Sequence, residues 1–263
     1  MEKIKTIIRK EWAEVFKNKM VLFTVAFLPL LLTALPLGIL IAMGGDEGVA
    51  GATSEMPAQF NALCPAELSG GECFQVFMVS QFMIMFMLLP LAIPATISSY
   101  SIVGEKTTRS LEPLLATPIT TAELLIGKSL SAAIPAVVAT FVAFAIFALG
   151  AWIIVPNKDL LLALLDARWL LAVFVVGPLM ALMAVAISVM VSSRVNDPRV
   201  AEQISMIVIL PLLAVFFGQI AGVFIVNRQL VLVAAGVLLV LDVGLMRLAV
   251  SIFQREAILT RWK

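Results

Sequence analysis

Histidine is absent from this chain of 263 residues. That removes the side chain that most often acts as general acid or base near neutral pH, and with it the HExxH metalloprotease pattern. Charge is scarce as well. Asp, Glu, Lys and Arg make up 13% of the residues, against about 25% in an ordinary soluble domain. The formal net charge is +1, so nothing in the charge balance points to nucleic acid. No GxxxxGK[ST] and no GxSxG occurs, and the Gly127-Lys128 pair lacks the upstream glycine. The chain therefore has no P-loop of its own to bind ATP. With no histidine and only two cysteines, a metal centre is not expected. Paired membrane aspartates are missing too, because Asp242 is the only clear carboxylate at bilayer depth.

What is abundant is apolar surface: 62% of the residues are hydrophobic and the mean hydropathy is +1.08. Six runs, roughly 20–43, 74–103, 123–151, 169–193, 201–226 and 229–250, are long enough to span a hydrocarbon core, which takes about 20 residues. The expected fold is an all-α membrane protein with six transmembrane helices in a single domain over 1–263. Six spans put both termini on one side. Of eighteen Lys and Arg residues only Lys158, Arg168 and Arg228 then fall on the other side. This bias predicts a multi-pass protein of the inner (cytoplasmic) membrane with both termini in the cytoplasm. The first run, with a long charged segment before it, does not read as a cleavable signal.

Residues 1–19 read as a basic amphipathic helix, with Ile4, Ile7, Ile8, Trp12, Val15 and Phe16 on one face and Lys and Glu on the other, lying in the plane of the inner leaflet. The first outer loop, 44–73, is acidic and holds Cys64 and Cys73. An oxidising exterior allows a disulfide there, and a reducing one leaves two thiols. Prolines in spans 1 to 5 predict kinked helices. LLLALL at 160–165 suits a short helix on the outer interface, and spans 5 and 6 form a tight hairpin. Within the spans, Gln81, Gln219 and Asp242 are candidate translocation-path residues. Each also has a plainer reading as interhelical glue, with Arg247 a possible partner for Asp242. Met78, Met83, Met85 and Met87 invite a soft-metal reading, but methionine is ordinary filler in apolar helices.

The most informative stretch is the polar island Gly104–Lys128, GEKTTRSLEPLLATPITTAELLIGK. Residues 105–116 alternate charged and apolar faces at helical spacing. Thr117-Pro118 ends that helix. Thr120-Thr121-Ala122-Glu123 then has the form of a capping box that starts the next one. Gly127 permits close packing, and Lys128 can reach lipid headgroups. A lever of this shape, fused to spans 2 and 3, would carry a push from a partner into the bundle.

The pattern from Gly104 to Lys128 resembles the signature of type-2 ABC transporter permeases. The N-terminal amphipathic segment, the six-span layout, the SSRVNDPRVAEQ linker and the final hairpin are similar as well. The resemblance implies an N-terminal elbow helix (1–19), a cytoplasmic coupling segment (104–122) between spans 2 and 3, and a cytoplasmic tail (251–263). It implies two partners: a separate ATP-binding cassette subunit that holds the ATP and Mg, and a second permease in a homodimer or pseudo-dimer, with spans 1, 2 and 5 lining the cleft. By matching position, Glu105, Arg109, Leu111, Glu112, Leu114, Leu115, Thr117 and Pro118 become the partner-coupling residues. The implied function is export by alternating access, with no catalytic residue on this chain. The alternative is a non-transporting membrane anchor or assembly subunit that docks a soluble partner through the same helix.

Overall fold

The computed structural model describes residues 2–44, 68–107 and 120–252. Among these the fold is all-helical. Six helical stretches are long and apolar enough to cross a bilayer: Val21–Met43, Gly70–Glu105, Ala122–Ile154, Lys158–Arg194, Pro198–Ile220 and Arg228–Ala249. An amphipathic helix, α1 (Glu2–Val15), precedes them. Span 1 is α2 (Lys19–Met43), and span 2 is α3 (Gly70–Phe86) followed by α4 (Leu89–Thr107). Span 3 is the single helix α5 (Thr121–Ile154). Span 4 joins α6 (Lys158–Leu164), α7 (Ala167–Leu171) and α8 (Gly177–Arg194). Span 5 is α9 (Pro198–Ser205) with α10 (Leu210–Ile220), and span 6 is α11 (Arg228–Ile252).

Prolines decide where the spans break. A proline gives no amide hydrogen and its ring crowds the carbonyl one turn back. Span 2 accordingly opens at Met87–Leu88, just ahead of Pro90. In span 4 a π-helical turn at Ala172–Val176 leads into Pro178, and in span 5 a 3-10 turn at Met206–Ile209 leads into Pro211. Such wider or tighter turns absorb the lost bond. Pro29, Pro36, Pro94 and Pro135 instead sit inside continuous helices.

The helix starts follow their local chemistry. Thr120 Oγ1 accepts from the Glu123 amide at 3.2 Å, and the Thr120 amide donates to Glu123 Oε2 at 2.9 Å. This is the capping box expected from the sequence. Ser69 and Glu72 build a second one at the start of α3. The leucine-rich linker forms α6, with Leu160 and Leu164 buried and Leu162 exposed.

Helix α4 lies at the centre, packed against α5 and α8. Its seam with α8 is made of small residues. Ser99 and Ser188 share a hydrogen bond at 2.9 Å, and Ser188 Oγ donates to the Ala95 carbonyl at 3.2 Å. Small side chains let helix backbones approach closely in a bilayer, where apolar attraction between helices is weak. Helix α11 lies on α8, α2 on α5 and α3, and α10 on α3. The turn between spans 5 and 6 needs Gly222 at φ 69°, a left-handed conformation that glycine adopts freely.

Candidate functional site

At the end of the bundle that carries α1, three helices meet around one buried ammonium. Lys128, in the second turn of α5, is 3% exposed. Its Nζ lies 2.9 Å from Glu11 Oε1 on α1 and 2.7 Å from Glu105 Oε2 on α4. It also donates to Ser101 Oγ on α4 at 3.0 Å. Ser101 Oγ in turn donates to the second oxygen of Glu11. Lys10, half-exposed beside the cluster, pairs with Glu105 and reaches Glu11 at 3.4 Å and Glu14 at 3.3 Å. Glu11 and Glu105 are 2% and 5% exposed. Two cations therefore face two buried carboxylates, and the charges of these four groups balance, with the exposed Glu14 at the rim.

Neutrality is what makes the burial tolerable, since an isolated buried ion costs several kcal/mol. The titration behaviour of the two α1 groups reflects it. Burial pushes the Glu11 carboxyl upward, but the Lys128 charge, the hydrogen bonds from Ser101 and Lys128, and the Lys10 charge outweigh it and hold the group below the usual carboxylate range. Burial likewise works against the Lys10 ammonium. The hydrogen bond to Glu105 and the charges of Glu105, Glu11 and Glu14 win, and hold it well above the ordinary lysine range.

Packing supports the charges. Helix α1 runs along the start of α5 in register. Lys3 pairs with Glu123 at 3.8 Å, Ile7 sits over Gly127, Glu11 meets Lys128, and Trp12 Nε1 donates to the Ser131 carbonyl at 2.9 Å. A Cβ added at Gly127 would stand 2.9 Å from Ile7 Cγ2, so the glycine sets how closely the helices approach.

One sequence expectation changes here and another is sharpened. Lys128 does not reach for headgroups, because it is enclosed between two carboxylates. Part of the apolar stripe of α1 faces protein: Ile7 and Val15 are buried, with α5 and α4 as the helices α1 packs on, while Ile4, Ile8, Trp12 and Phe16 are half-buried. Glu11, assigned to the polar face, lies between Ile7 and Val15 on the buried one. A carboxylate at that register was the available sign of an ionic contact.

Of the predicted partner-coupling residues, Glu105 belongs to this cluster. Arg109, Leu111, Glu112, Leu114, Leu115, Thr117 and Pro118 lie outside the described residues. The cluster therefore joins the two flanks of that segment: Glu105 at the end of α4 and Lys128 near the start of α5.

The proposed path residues lie elsewhere, and each is buried. Gln219 Oε1 accepts from the Val226 amide at 3.2 Å and so holds the hairpin between spans 5 and 6. Gln81 on α3 and Asp242 on α11 have no hydrogen-bond partner among the described residues. Arg247 is exposed, turned away from the buried face that holds Asp242. Thr96 on α4 donates to Glu202 Oε1 on α9 at 2.6 Å, a contact between spans 2 and 5 that sequence reading did not find. Cys73 is disulfide-bonded, and Cys64 lies outside the described residues. Among the described residues no group of His, Cys, Asp or Glu could hold a metal ion.

A six-span helical bundle with an amphipathic helix tied to the flanks of the junction between spans 2 and 3 is a multi-pass membrane protein. The family model described as "ABC-2 family transporter protein" matches residues 5–256, and the chain belongs to that family. No curated protein matches the chain.

Proposed function

We propose that this chain is the membrane-spanning permease subunit of an ATP-driven exporter. In this reading a separate cassette subunit binds ATP with Mg and docks at the cytoplasmic segment 105–118. Closure of the cassettes pushes that segment and switches the bundle between inward-facing and outward-facing packings, as alternating access requires. Two copies, or this chain and a related one, enclose the cleft. Spans 1, 2 and 5 are the candidate lining; spans 1 and 5, 28% and 22% buried within the protomer, leave apolar faces free for that role, as spans 3 and 6 also do at 28% and 17%, while span 2 is 78% buried.

The observation that carries the reading is the ionic closure between Glu105 and Lys128. A segment that only reversed the chain would need no charged staple at its base. A segment that takes load from another protein needs both flanks held, so that force enters the spans instead of stretching the loop. Gln81 and Asp242, buried without partners, are retained as candidate contacts along the route of the cargo. Cys64 is assigned as the partner of Cys73, on the ground that the chain has no third cysteine.

The test is reconstitution. Purified chain in liposomes should hydrolyse no ATP. Co-expressed with its cassette subunit, it should yield a stable complex with vanadate-sensitive ATPase activity, and inverted vesicles should accumulate a lipophilic fluorescent dye only when ATP is present. ATP hydrolysis by the chain alone would sink the idea. Cassette binding without any ATP-dependent flux would favour the anchoring or assembly role.

A further inference from the structure

We infer that Glu11, Lys128 and Glu105 are positioning residues that make α1 travel with the end of α4 and the start of α5 as one body, so that a push delivered to those two helices reaches span 1 as well as spans 2 and 3. This rests on the permease reading above and adds a third output to it. An amphipathic helix at a membrane surface could instead stay with the lipid while the junction moves beneath it. The contacts decide between the two.

Separating α1 from α5 would strip Lys128 of one of its two carboxylates and pull the Trp12 indole from the Ser131 carbonyl. It would also leave Glu11, 2% exposed, without its closest cation. Each loss uncovers a charged or polar group in a site closed to water, where the penalty is largest. Moving together breaks none of these contacts. The fit of Ile7 over Gly127 opposes sliding as well, because neighbouring positions on α5 carry a Cβ.

The route onward is short. Three residues, Phe16 to Asn18, separate α1 from α2, and the Leu22 amide already bonds to the Asn18 carbonyl at 3.0 Å. Helix α2 then packs on the same α5 further along. Span 1 is thus held to α5 both by its own packing and through α1. The ionic cluster belongs to the second of these attachments. Ser101 and Lys10 complete the cluster, but they act through Glu11 and Glu105.

The experiment uses the permease–cassette complex with an environment-sensitive label at Phe27→Cys in span 1, a position that is 46% exposed. In the otherwise unaltered complex the label's emission should shift between the nucleotide-free and the ATP–vanadate states. Lys128→Met should clearly reduce that shift while cassette co-purification persists, because only the packing of span 1 on α5 then remains, and Lys128→Arg should keep it in full.

A second measurement covers the possibility that Lys128→Met fails to fold. The pair Ile7→Cys and Gly127→Cys places its Cβ atoms about 3.0 Å apart, closer than the roughly 3.5–4.5 Å that a disulfide spans, so a small parting of the two helices lets the bond form. Oxidation of this pair should leave the shift and the ATPase rate unchanged, and in the Lys128→Met background it should restore the shift. A crosslink that blocks the shift in an otherwise unaltered complex, with recovery on reduction, shows that α1 and α5 separate during the cycle and overturns the inference. A Lys128→Met complex that keeps its shift in full does the same. Failure of the unaltered chain to bind a cassette subunit at all would instead remove the permease reading beneath it.

Discussion

Lys128 illustrates how one side chain can serve stability and specificity with opposite signs. Its ammonium gives up water and gains Glu11, Glu105 and the Ser101 hydroxyl. Desolvation and attraction nearly cancel in such clusters, so the arrangement itself adds little stability. Removing only the cation is another matter, because two carboxylates stay buried without it. Lys128→Met should lower unfolding stability by about 3–5 kcal/mol, and the triple change Lys128→Met, Glu11→Gln and Glu105→Gln should recover most of that loss. Lys128→Arg should cost less than Lys128→Met, since the charge remains and only the planar fork must be fitted. Denaturant titration in lipid nanodiscs, followed by tryptophan emission, reads all three variants. A Lys128→Met protein as stable as the parent would mean that water already reaches the cluster. None of this was legible residue by residue. Glu11 and Lys128 are 117 positions apart, and no periodicity encodes which of eighteen cations meets which carboxylate. Only the misfit of Glu11 on an apolar face gave notice of it.

At the scale of elements the sequence spoke more clearly, because a span announces itself by an unbroken apolar run and little else can end it. All six expected runs are helices. Their ends moved where backbone chemistry overrode hydropathy. Span 5 stops at Ile220 because Gly222 turns the chain, although apolar residues continue to Val226. Span 4 begins as early as Lys158 because α6 and α7 stack ahead of the long helix. The contact between α1 and α5 was not visible in either helix alone. It depends on the missing Cβ of Gly127, and that dependence gives a prediction whose sign reverses with background. Gly127→Ala in the unaltered chain forces Ile7 aside and should destabilise by about 1–3 kcal/mol. In an Ile7→Ala background the clash is gone, and the same change should stabilise by up to about 1 kcal/mol through helix propensity. Thermal unfolding of the four proteins in one detergent completes the cycle. Equal effects in both backgrounds would show that the helices do not touch at this point.

Over the whole molecule, burial and charge are distributed along different axes. Burial is radial. Spans 2 and 4 are 78% and 56% enclosed, while spans 5 and 6 are 22% and 17% enclosed and turn apolar side chains outward, as a bilayer or a second subunit permits. Charge is axial. The end that carries α1 holds the buried cluster and the exposed cations Lys5, Arg9, Lys17 and Lys19, whereas Lys158, Arg168 and Arg228 stand at the other. Orientation in a membrane follows the second axis, because loops rich in Lys and Arg are retained on the cytoplasmic side. The junction must therefore face the compartment that supplies ATP if segment 105–118 is to meet a cassette subunit. Cysteine labelling tests this directly, using Ala13→Cys on α1 and Gln229→Cys beside the hairpin turn, both exposed positions. The native Cys73, being disulfide-bonded, should not compete for the reagent. In intact cells a membrane-impermeant maleimide should modify Gln229→Cys and spare Ala13→Cys, and in inverted vesicles the pattern should reverse. Labelling of Ala13→Cys from outside would place the ionic junction on the side without ATP. The cluster would then have to be explained as a purely structural clasp.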